Sequence, residues 1–245
     1  MSDKQSMLRV LGISGSPRNG NSKYLLSMAL EAAKEVNDKL VVTELFSFKG
    51  KKFEPCNSCF SCAKEKNYGE CIIKDDFQEL REKWMQADAV IYSVPVYHVS
   101  IPGQLKCFID RLGNSGKKIK DVAAPKFMKS VGAIAQGSHL FGGQELAITF
   151  LLHHAVLMNC IPVSGDGWQS YLGAAGWTIT KRDRTAIEND FGENERDAEI
   201  TVQAARTLGM RVTEMALILR QGMNNLQGSF APDTTYMPIL KQINS

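Results

Sequence analysis

The sequence predicts one α/β domain of three layers, in which helices cover both faces of a five-stranded parallel sheet. First, short apolar runs of strand length alternate along the chain with longer stretches of helical periodicity. Second, the run AVIYSV at 89–94 is almost continuously apolar, as parallel strands are when both faces are covered. Third, 44% of the 245 residues are hydrophobic and 22% are charged, which is an ordinary globular composition and excludes a disordered or collagen-like chain.

The elements are assigned in chain order from apolar runs and from helical spacing. Strands are predicted where short apolar or β-branched runs occur, at 8–13, 40–46, 89–94, 127–135 and 160–163. Helices are predicted where apolar residues share one face, at 22–36, 75–87, 103–112, 144–158 and 197–220. In the second helix Phe77, Leu80 and Trp84 share that face, and Asp75 suits the N-terminal cap. The segment 165–176 is rich in glycine and shows no periodicity, so no element is predicted there.

Five strands that alternate with five helices favour a flavodoxin-like sandwich over a six-stranded Rossmann sheet. We predict a single domain over residues 1–245, with a cysteine loop at 55–72 inserted after the second strand. The residues 223–245 show no period and are predicted to form a C-terminal extension.

Charge and hydropathy narrow the possible partners. Lys and Arg number 29 and Asp and Glu 26, and a net charge of +3 is too small and too evenly spread for a nucleic-acid surface. No stretch approaches the roughly 18 consecutive apolar residues of a membrane helix, and the N-terminal run lacks the apolar region of a signal peptide. We therefore expect a cytoplasmic protein that binds neither nucleic acid nor membrane.

The loop after the first strand is predicted to bind one phosphate group. Gly15, Gly20 and Ser22 match the phosphate loop G-x-x-x-x-G-K-[ST], but Asn21 replaces the lysine that reaches the β- and γ-phosphates. A nucleoside triphosphatase is therefore disfavoured. Backbone N–H groups at a helix N-terminus remain, which suit a single terminal phosphate, although a serine-rich turn with a helix cap is an alternative. The side chains that would assist them are Ser14, Ser16, Arg18 and Ser22.

Two further loops follow the third and fourth strands, where ligands bind in open α/β sheets. Pro95, Tyr97 and Pro102 make a stiff, flat rim that suits a planar ring. The loop at 136–144 is rich in glycine, which lets a ligand approach the backbone closely. Structural turns use the same residue types, so the prediction depends on three such loops lying at three strand ends.

Three motifs mark these strand ends: S-G-S-P-R-x-G-N-S, P-V-Y-H-x-x-x-P-G-x-L-K-x-F-I-D-R and G-G-Q-E. Over about residues 8–163 they resemble the NADPH-dependent FMN reductase superfamily of flavodoxin-like proteins. The resemblance implies that the first loop holds the phosphate of FMN and that the P-V-Y-H segment flanks the isoalloxazine ring. It implies a homo-oligomer, commonly a dimer or tetramer, with flavins near subunit interfaces. The FMN-contacting residues that it implies are Ser14, Ser16, Arg18, Asn21, Ser22, Pro95, Val96, Tyr97, His98, Gln136, Gly137 and Gly143.

Four of the six cysteines form the pattern C-x2-C-x2-C-x8-C, at Cys56, Cys59, Cys62 and Cys71. This pattern resembles the iron–sulfur flavoprotein branch, whose cysteines ligate a [4Fe–4S] cluster, although the last gap is longer than that branch usually shows. Three thiolates at two-residue gaps can close on one cubane, with a fourth from further along. Zinc is an alternative, although zinc sites more often show two separated C-x2-C pairs. A second alternative is that the four thiols bind no metal and are redox-active or unligated. Cys107 and Cys160 stand in apolar contexts typical of buried thiols.

The sequence therefore predicts an FMN-dependent oxidoreductase that couples two-electron chemistry at the flavin to one-electron transfer through the cluster. NAD(P)H is a possible co-substrate, and a redox protein such as ferredoxin is the other possible electron donor. No proton-transferring side chain is predicted, because the cofactors carry the electron chemistry. Two alternatives remain open: an NAD(P)H-dependent FMN or quinone reductase without a cluster, and a non-enzymatic flavodoxin-like electron carrier or redox sensor.

Overall fold

The computed structural model describes residues 7–119, 125–226 and 229. Its strands are β1 (Leu8–Ser14), β2 (Val41–Ser47), β3 (Ala89–Pro95), β4 (Ser130–Gly137), β5 (Ile161–Pro162) and β6 (Ala174–Trp177). Its α-helices are α1 (Asn21–Val36), α2 (Phe77–Gln86), α3 (Gly103–Ser115), α4 (Gln144–Leu157), α5 (Ala186–Gly192) and α6 (Arg196–Asn225). Two short 3₁₀ turns, Ser61–Ala63 and Glu65–Asn67, lie in the cysteine loop.

The strands form one parallel sheet in the order β2-β1-β3-β4-β5. This is the predicted five-stranded flavodoxin-like sheet, and a sixth strand adds to it. β5 pairs with the start of β4 at Ser130 and Val131, whereas β6 pairs with the end of β4, from Ile134 to Gly137. Because β6 runs beside the last residues of β4, the chain that follows it emerges at the carboxyl end of the sheet.

Apolar side chains cover both faces of the sheet. Leu80, Phe108 and Leu151 of α2, α3 and α4 fill one face, and Leu26 and Leu208 of α1 and α6 fill the other. All five are fully buried, and burying such a side chain stabilises the fold by about 1.5–3 kcal/mol. The sheet is therefore a firm support for the loops at its carboxyl end.

The predicted elements are present, with differences at their ends. β4 begins at Ser130, three residues later than predicted. The prediction that no element lies in 165–176 was wrong, because β6 begins at Ala174, and α5 was not predicted. α6 runs on to Asn225, so the first residues of the predicted C-terminal extension are helical. Most of that extension, 227–228 and 230–245, lies outside the described residues.

The two isolated cysteines differ in their surroundings. Cys160 is buried as predicted, and burial raises the pKa of its thiol to about 12. Cys107 is only half-buried, on α3, where burial again raises the pKa of the thiol. In the described part of the chain, no helix combines the length and apolar character needed to cross a membrane.

Candidate functional site

A cavity of about 300 Å³ opens where the carboxyl ends of β1, β3 and β4 meet. The three loops that the sequence singled out all contribute to its walls, and a fourth segment, after β6, closes the ring. Its lining residues are Ser16, Arg18, Gly20, Asn21, Ser22, Pro95, Val96, Tyr97, Gln136, Gly137, Ser138, Thr178, Lys181, Arg182, Asp183 and Arg184.

Nine of the twelve residues named from the sequence therefore line one cavity. The other three lie beside it. Ser14 is fully buried at the end of β1, and His98 is exposed in the loop after β3. Gly143 has a φ of 109° and packs against that loop, where a Cβ atom would lie 2.6 Å from the Cα of Val99. Gly143 thus allows two of the loops to approach each other closely.

The first loop is fixed to β3 by hydrogen bonds. The N–H of Gly15 donates to the carbonyl of Ser93 at 2.9 Å, and the hydroxyl of Ser93 donates to the carbonyl of Ser22 at 2.7 Å. The first turn of α1 starts at Asn21, so its N–H groups and the positive end of the helix dipole lie at the cavity wall. Arg18 adds an exposed guanidinium. This arrangement suits an anion such as a phosphate.

Two buried side-chain oxygens near the cavity have no hydrogen-bond partner among the described residues. They are Oγ of Ser14, at the end of β1, and Oε1 of Gln136, at the end of β4. Buried polar atoms are almost always hydrogen-bonded. They lie at the ends of β1 and β4, the two strands on either side of β3, and a bound polar ligand is their natural partner.

The loop after β3 forms the flat wall. Tyr97 and Ser100 exchange backbone hydrogen bonds, which closes a tight turn. His98 and Val99 both adopt positive φ, 46° and 67°, and a β-branched residue such as valine is rarely found there. Such strained positions are often found at ligand sites. The N–H of Val96 donates to the carbonyl of Gln136 at 2.8 Å, so the second and third loops are joined.

The third loop is organised by Gln144, whose role the sequence did not reveal. Its Nε2 donates to the carbonyls of His139 and Gly176, at 2.6 and 3.2 Å, and its Oε1 accepts the N–H of Gly142 at 2.9 Å. One buried amide thereby ties the loop to β6. The G-G-Q-E motif was the available signal.

The fourth wall is the segment 178–184, which we call the strap. The sequence analysis missed it. Its only local signal is a cluster of charges, KRDR, after the glycine-rich region. Residues 178–184 reach the cavity through contacts with both the first and third loops, and contacts of that range leave no local pattern in the sequence.

All four clustered cysteines line a second, smaller cavity of about 30 Å³ beside α3. Nδ2 of Asn114 donates to Sγ of Cys56 at 3.6 Å, and Sγ of Cys62 donates to the carbonyl of Asn114 at 3.7 Å. Burial raises the pKa of the Cys62 thiol. Within the described ranges, no three His, Cys, Asp or Glu side chains are arranged as a metal-ion site.

Arg111 of α3 anchors both ends of the cysteine loop and lines the same cavity. Its guanidinium donates to Asp75 at 2.6 Å, to the carbonyl of Glu54 at 3.2 Å and to the carbonyl of Ile73 at 2.8 Å. Burial disfavours the charge of Asp75, but the hydrogen bonds from Arg111 and from two backbone N–H groups outweigh burial and lower its pKa. One of those N–H groups belongs to Phe77, the first residue of α2, so Asp75 contacts the start of the helix, but the N-cap residue is Asp76 and not Asp75 as predicted.

Comparison with known proteins gives concordant matches. The family model described as NADPH-dependent FMN reductase matches residues 8–170. An iron–sulfur flavoprotein of Archaeoglobus fulgidus is 37% identical over 170 residues, which cover 69% of this chain and 82% of that protein. One from Methanocaldococcus jannaschii is 36% identical over 185 residues, covering 75% and 88%.

A solved structure supports the fold alone. A WrbA-like flavodoxin from Agrobacterium tumefaciens superposes with a TM-score of 0.51 at 16% identity, covering 87% of this chain and 99% of that one.

Proposed function

This chain belongs to the NADPH-dependent FMN reductase family, and from that premise we propose that it holds FMN in the cavity at the carboxyl ends of β1, β3 and β4. It is an FMN-dependent oxidoreductase. The observation that carries the proposal is the convergence of three family loops on one cavity, with Oγ of Ser14 and Oε1 of Gln136 left for a ligand.

The residues divide into a phosphate end and a ring end. Ser16, Ser22 and the guanidinium of Arg18 would hold the phosphate at the N-terminus of α1. Pro95 and Tyr97 would lie against the ring. FMN, once bound, supplies both two-electron and one-electron chemistry, and the protein binds and orients it. The N–H of Val96 already donates to the carbonyl of Gln136. Hydrogen bonds to the flavin ring must therefore come from other N–H groups of these loops.

We further propose that Cys56, Cys59, Cys62 and Cys71 hold one [4Fe–4S] cluster, as the names of the relatives suggest. The residues fit such a group in number and chemistry. Four thiols line one cavity, and four cysteine thiolates are the usual ligands of a cubane. Arg111, 1% exposed on the same cavity, holds both ends of the cysteine loop in place through Asp75 and the carbonyls of Glu54 and Ile73.

A cluster would supply one-electron transfer, and zinc would not. Iron and zinc analysis of anaerobically purified protein therefore separates the two metals. Absence of both metals, with FMN bound, would instead favour the NAD(P)H-dependent FMN or quinone reductase without a cluster. The third outcome is a protein that binds FMN but does not turn over NAD(P)H, which would favour a non-enzymatic electron carrier or redox sensor.

The electron donor is proposed to be NAD(P)H or a redox protein such as ferredoxin. Anaerobic mixing of the FMN-loaded protein with NADPH, with NADH or with reduced ferredoxin, monitored by bleaching of the flavin band, distinguishes the donors. A cytoplasmic location belongs to the same proposal, since a reducing compartment keeps thiols available for a cluster.

We also propose a homo-oligomer, a dimer or tetramer, that uses the outer face of α4. Leu146, Val156 and Leu157 of this helix are 60%, 56% and 60% exposed. A helix that is apolar on its outer as well as its inner side is usually covered. A second copy of this chain would bury these residues. Analytical ultracentrifugation of the protein, and of a Leu146→Glu/Leu157→Glu variant that should dissociate, tests this.

A further inference from the structure

The strap is held against the first loop by the side chain of Asn21. Nδ2 of Asn21 donates to the carbonyl of Asp183 at 3.1 Å, and Oδ1 accepts the N–H of Ile187 at 3.0 Å. Asn21 is 7% exposed, so both hydrogen bonds are shielded from water. The residue that replaces the lysine of a nucleotide phosphate loop therefore fixes the position of the strap.

Gly20 makes this approach possible. A Cβ atom at Gly20 would lie 3.0 Å from the carbonyl oxygen of Arg184, which is tighter than ordinary side-chain contacts. The backbone of the strap thus lies directly against the first loop. Arg184 is placed at the phosphate end of the cavity by its own main chain.

The other end of the strap is held by the third loop. The N–H groups of Thr178 and Thr180 donate to the carbonyls of Gly137 and Ser138, at 3.1 and 2.7 Å. Ile179 and Thr180 both adopt positive φ, 49° and 62°, although both are β-branched. The strap is therefore fixed at both ends along the cavity, and its unusual backbone persists because these contacts hold it.

The charges of the strap leave two guanidiniums available to a ligand. In the described part of the chain, no carboxylate pairs with the side chain of Arg182 or Arg184. Lys181 is paired with Asp190 at 2.6 Å. The carboxylate of Asp183 accepts hydrogen bonds from the backbone and side chain of Thr185. Asp183 is the one acidic residue of the strap, and its carboxylate is thus hydrogen-bonded to Thr185, which does not line the cavity.

A phosphate monoester carries about 1.5 to 2 negative charges near pH 7, whereas the first loop supplies one cation, Arg18. We propose that the strap is the second wall of the FMN phosphate site, in which Arg182 and Arg184 bind the phosphate dianion together with Arg18. The strap lies beyond residues 8–170, which the family model matches, so the three family loops do not include it. This inference rests on the proposed binding of FMN.

The test compares FMN with riboflavin, which has the same ring and no phosphate. Dissociation constants of both flavins are measured by fluorescence quenching for the unmodified apoprotein and for Arg182→Ala/Arg184→Ala. Alanine keeps the Cβ of Arg184, which packs near Gly20. We expect FMN binding to weaken by about tenfold or more, the cost of losing a hydrogen bond to a charged group, while riboflavin binding changes little.

Two further variants make the comparison specific. Arg182→Lys/Arg184→Lys should recover part of the FMN affinity because it retains the charge. Arg196→Ala removes an exposed arginine at the start of α6 and should leave both flavins unaffected.

Equal weakening of FMN and riboflavin by the double alanine variant would overturn the proposal, since the strap would then be only a structural wall. Unchanged binding of both flavins would also overturn it. If such a variant instead lost a preference for NADPH over NADH, the two arginines would bind the nicotinamide cofactor and not the phosphate of FMN. If the unmodified protein itself binds no FMN, the proposed function fails rather than the strap.

Discussion

Arg111 and Asp75 form a buried ion pair, with 2.6 Å between Nη1 and Oδ2 and with side chains 1% and 3% exposed. The pair joins α3 to the residues just before α2, and the same guanidinium holds the carbonyls of Glu54 and Ile73 on either side of the cysteines. The small cysteine cavity therefore has a rigid base on α3, although most of the loop lacks regular structure.

Replacing Arg111 with methionine should lower the free energy of unfolding by about 3–5 kcal/mol, because the carboxylate of Asp75 is left buried without its partner. Chemical denaturation measures this. Lys106→Ala is the matched control, since it breaks the exposed Lys106–Asp110 pair on the same helix and should cost about 1 kcal/mol or less. An equal loss of unfolding free energy in the two variants would show that the buried pair stabilises the fold no more than the exposed pair does.

Arg18→Ala should weaken FMN binding by about 1.5–3 kcal/mol, since it removes a charged donor at the phosphate end of the cavity. Isothermal titration with FMN and with riboflavin measures this, and riboflavin affinity should stay the same. Protein isolated with FAD instead of FMN, or an Arg18→Ala variant of unchanged FMN affinity, would contradict the assignment of the first loop.

Tyr97→Ala should shift the absorption bands or the potential of the bound flavin without unfolding the protein, because Tyr97 lies 37% exposed on the flat wall of the cavity. Tyr171→Ala is a control at an exposed tyrosine that does not line this cavity. A flavin spectrum and potential identical to those of the unmodified protein would place the ring elsewhere.

Asn114→Leu should lower the midpoint potential of the proposed cluster, since the amide of Asn114 donates to Cys56 Sγ and such hydrogen bonds stabilise the reduced state. Loss of a hydrogen bond of about 0.5–1.5 kcal/mol corresponds to about 20–60 mV for one electron. A potentiometric titration followed by electron paramagnetic resonance measures the shift. The iron content should not change, and an unchanged potential at full iron content would refute the role of Asn114.

His154 predicts a pH dependence of stability. It is 8% exposed, and burial lowers its pKa from 6.5 to about 4. The unfolded chain therefore binds a proton at this residue more readily than the folded one, so its effect on stability is absent above pH 6.5 and grows as the pH falls towards 4. Stability should fall by up to about 3 kcal/mol across that window.

Unfolding measured at several pH values tests this. His154→Leu should flatten the decline between pH 6.5 and 4, whereas His153→Leu, at the exposed neighbour, should leave it unchanged. An identical decline in both variants would assign the acid sensitivity to other groups.

The five-stranded parallel sheet could be predicted because each of the first four strands is a short run rich in apolar residues and is followed by its own helix. β6 could not, since Ala174–Trp177 contains two alanines and a glycine and becomes a strand through its pairing with the end of β4. The first loop was accessible because its motif is local.

The strap and the role of Arg111 could not be predicted, because both depend on contacts between residues that are far apart in the sequence. Arg111 belongs to the F-I-D-R motif that suggested a flavin loop, but its partner Asp75 lies far away in the sequence and places it beneath the cysteines. The position of the strap likewise depends on Asn21, whose two hydrogen bonds reach Asp183 and Ile187, 162 and 166 residues further along the chain. Contacts of this range leave no periodic signal.

The central claim is that one chain holds both FMN and an iron–sulfur cluster on Cys56, Cys59, Cys62 and Cys71. Its most direct test is the iron, sulfide, zinc and FMN content of protein purified without oxygen, for the unmodified chain and for Cys71→Ser. We predict one FMN, close to four irons and four labile sulfides per unmodified chain, as a cubane requires, with FMN retained and iron lost in Cys71→Ser. Zinc in place of iron, or four freely titratable thiols after anaerobic reconstitution, would contradict the claim.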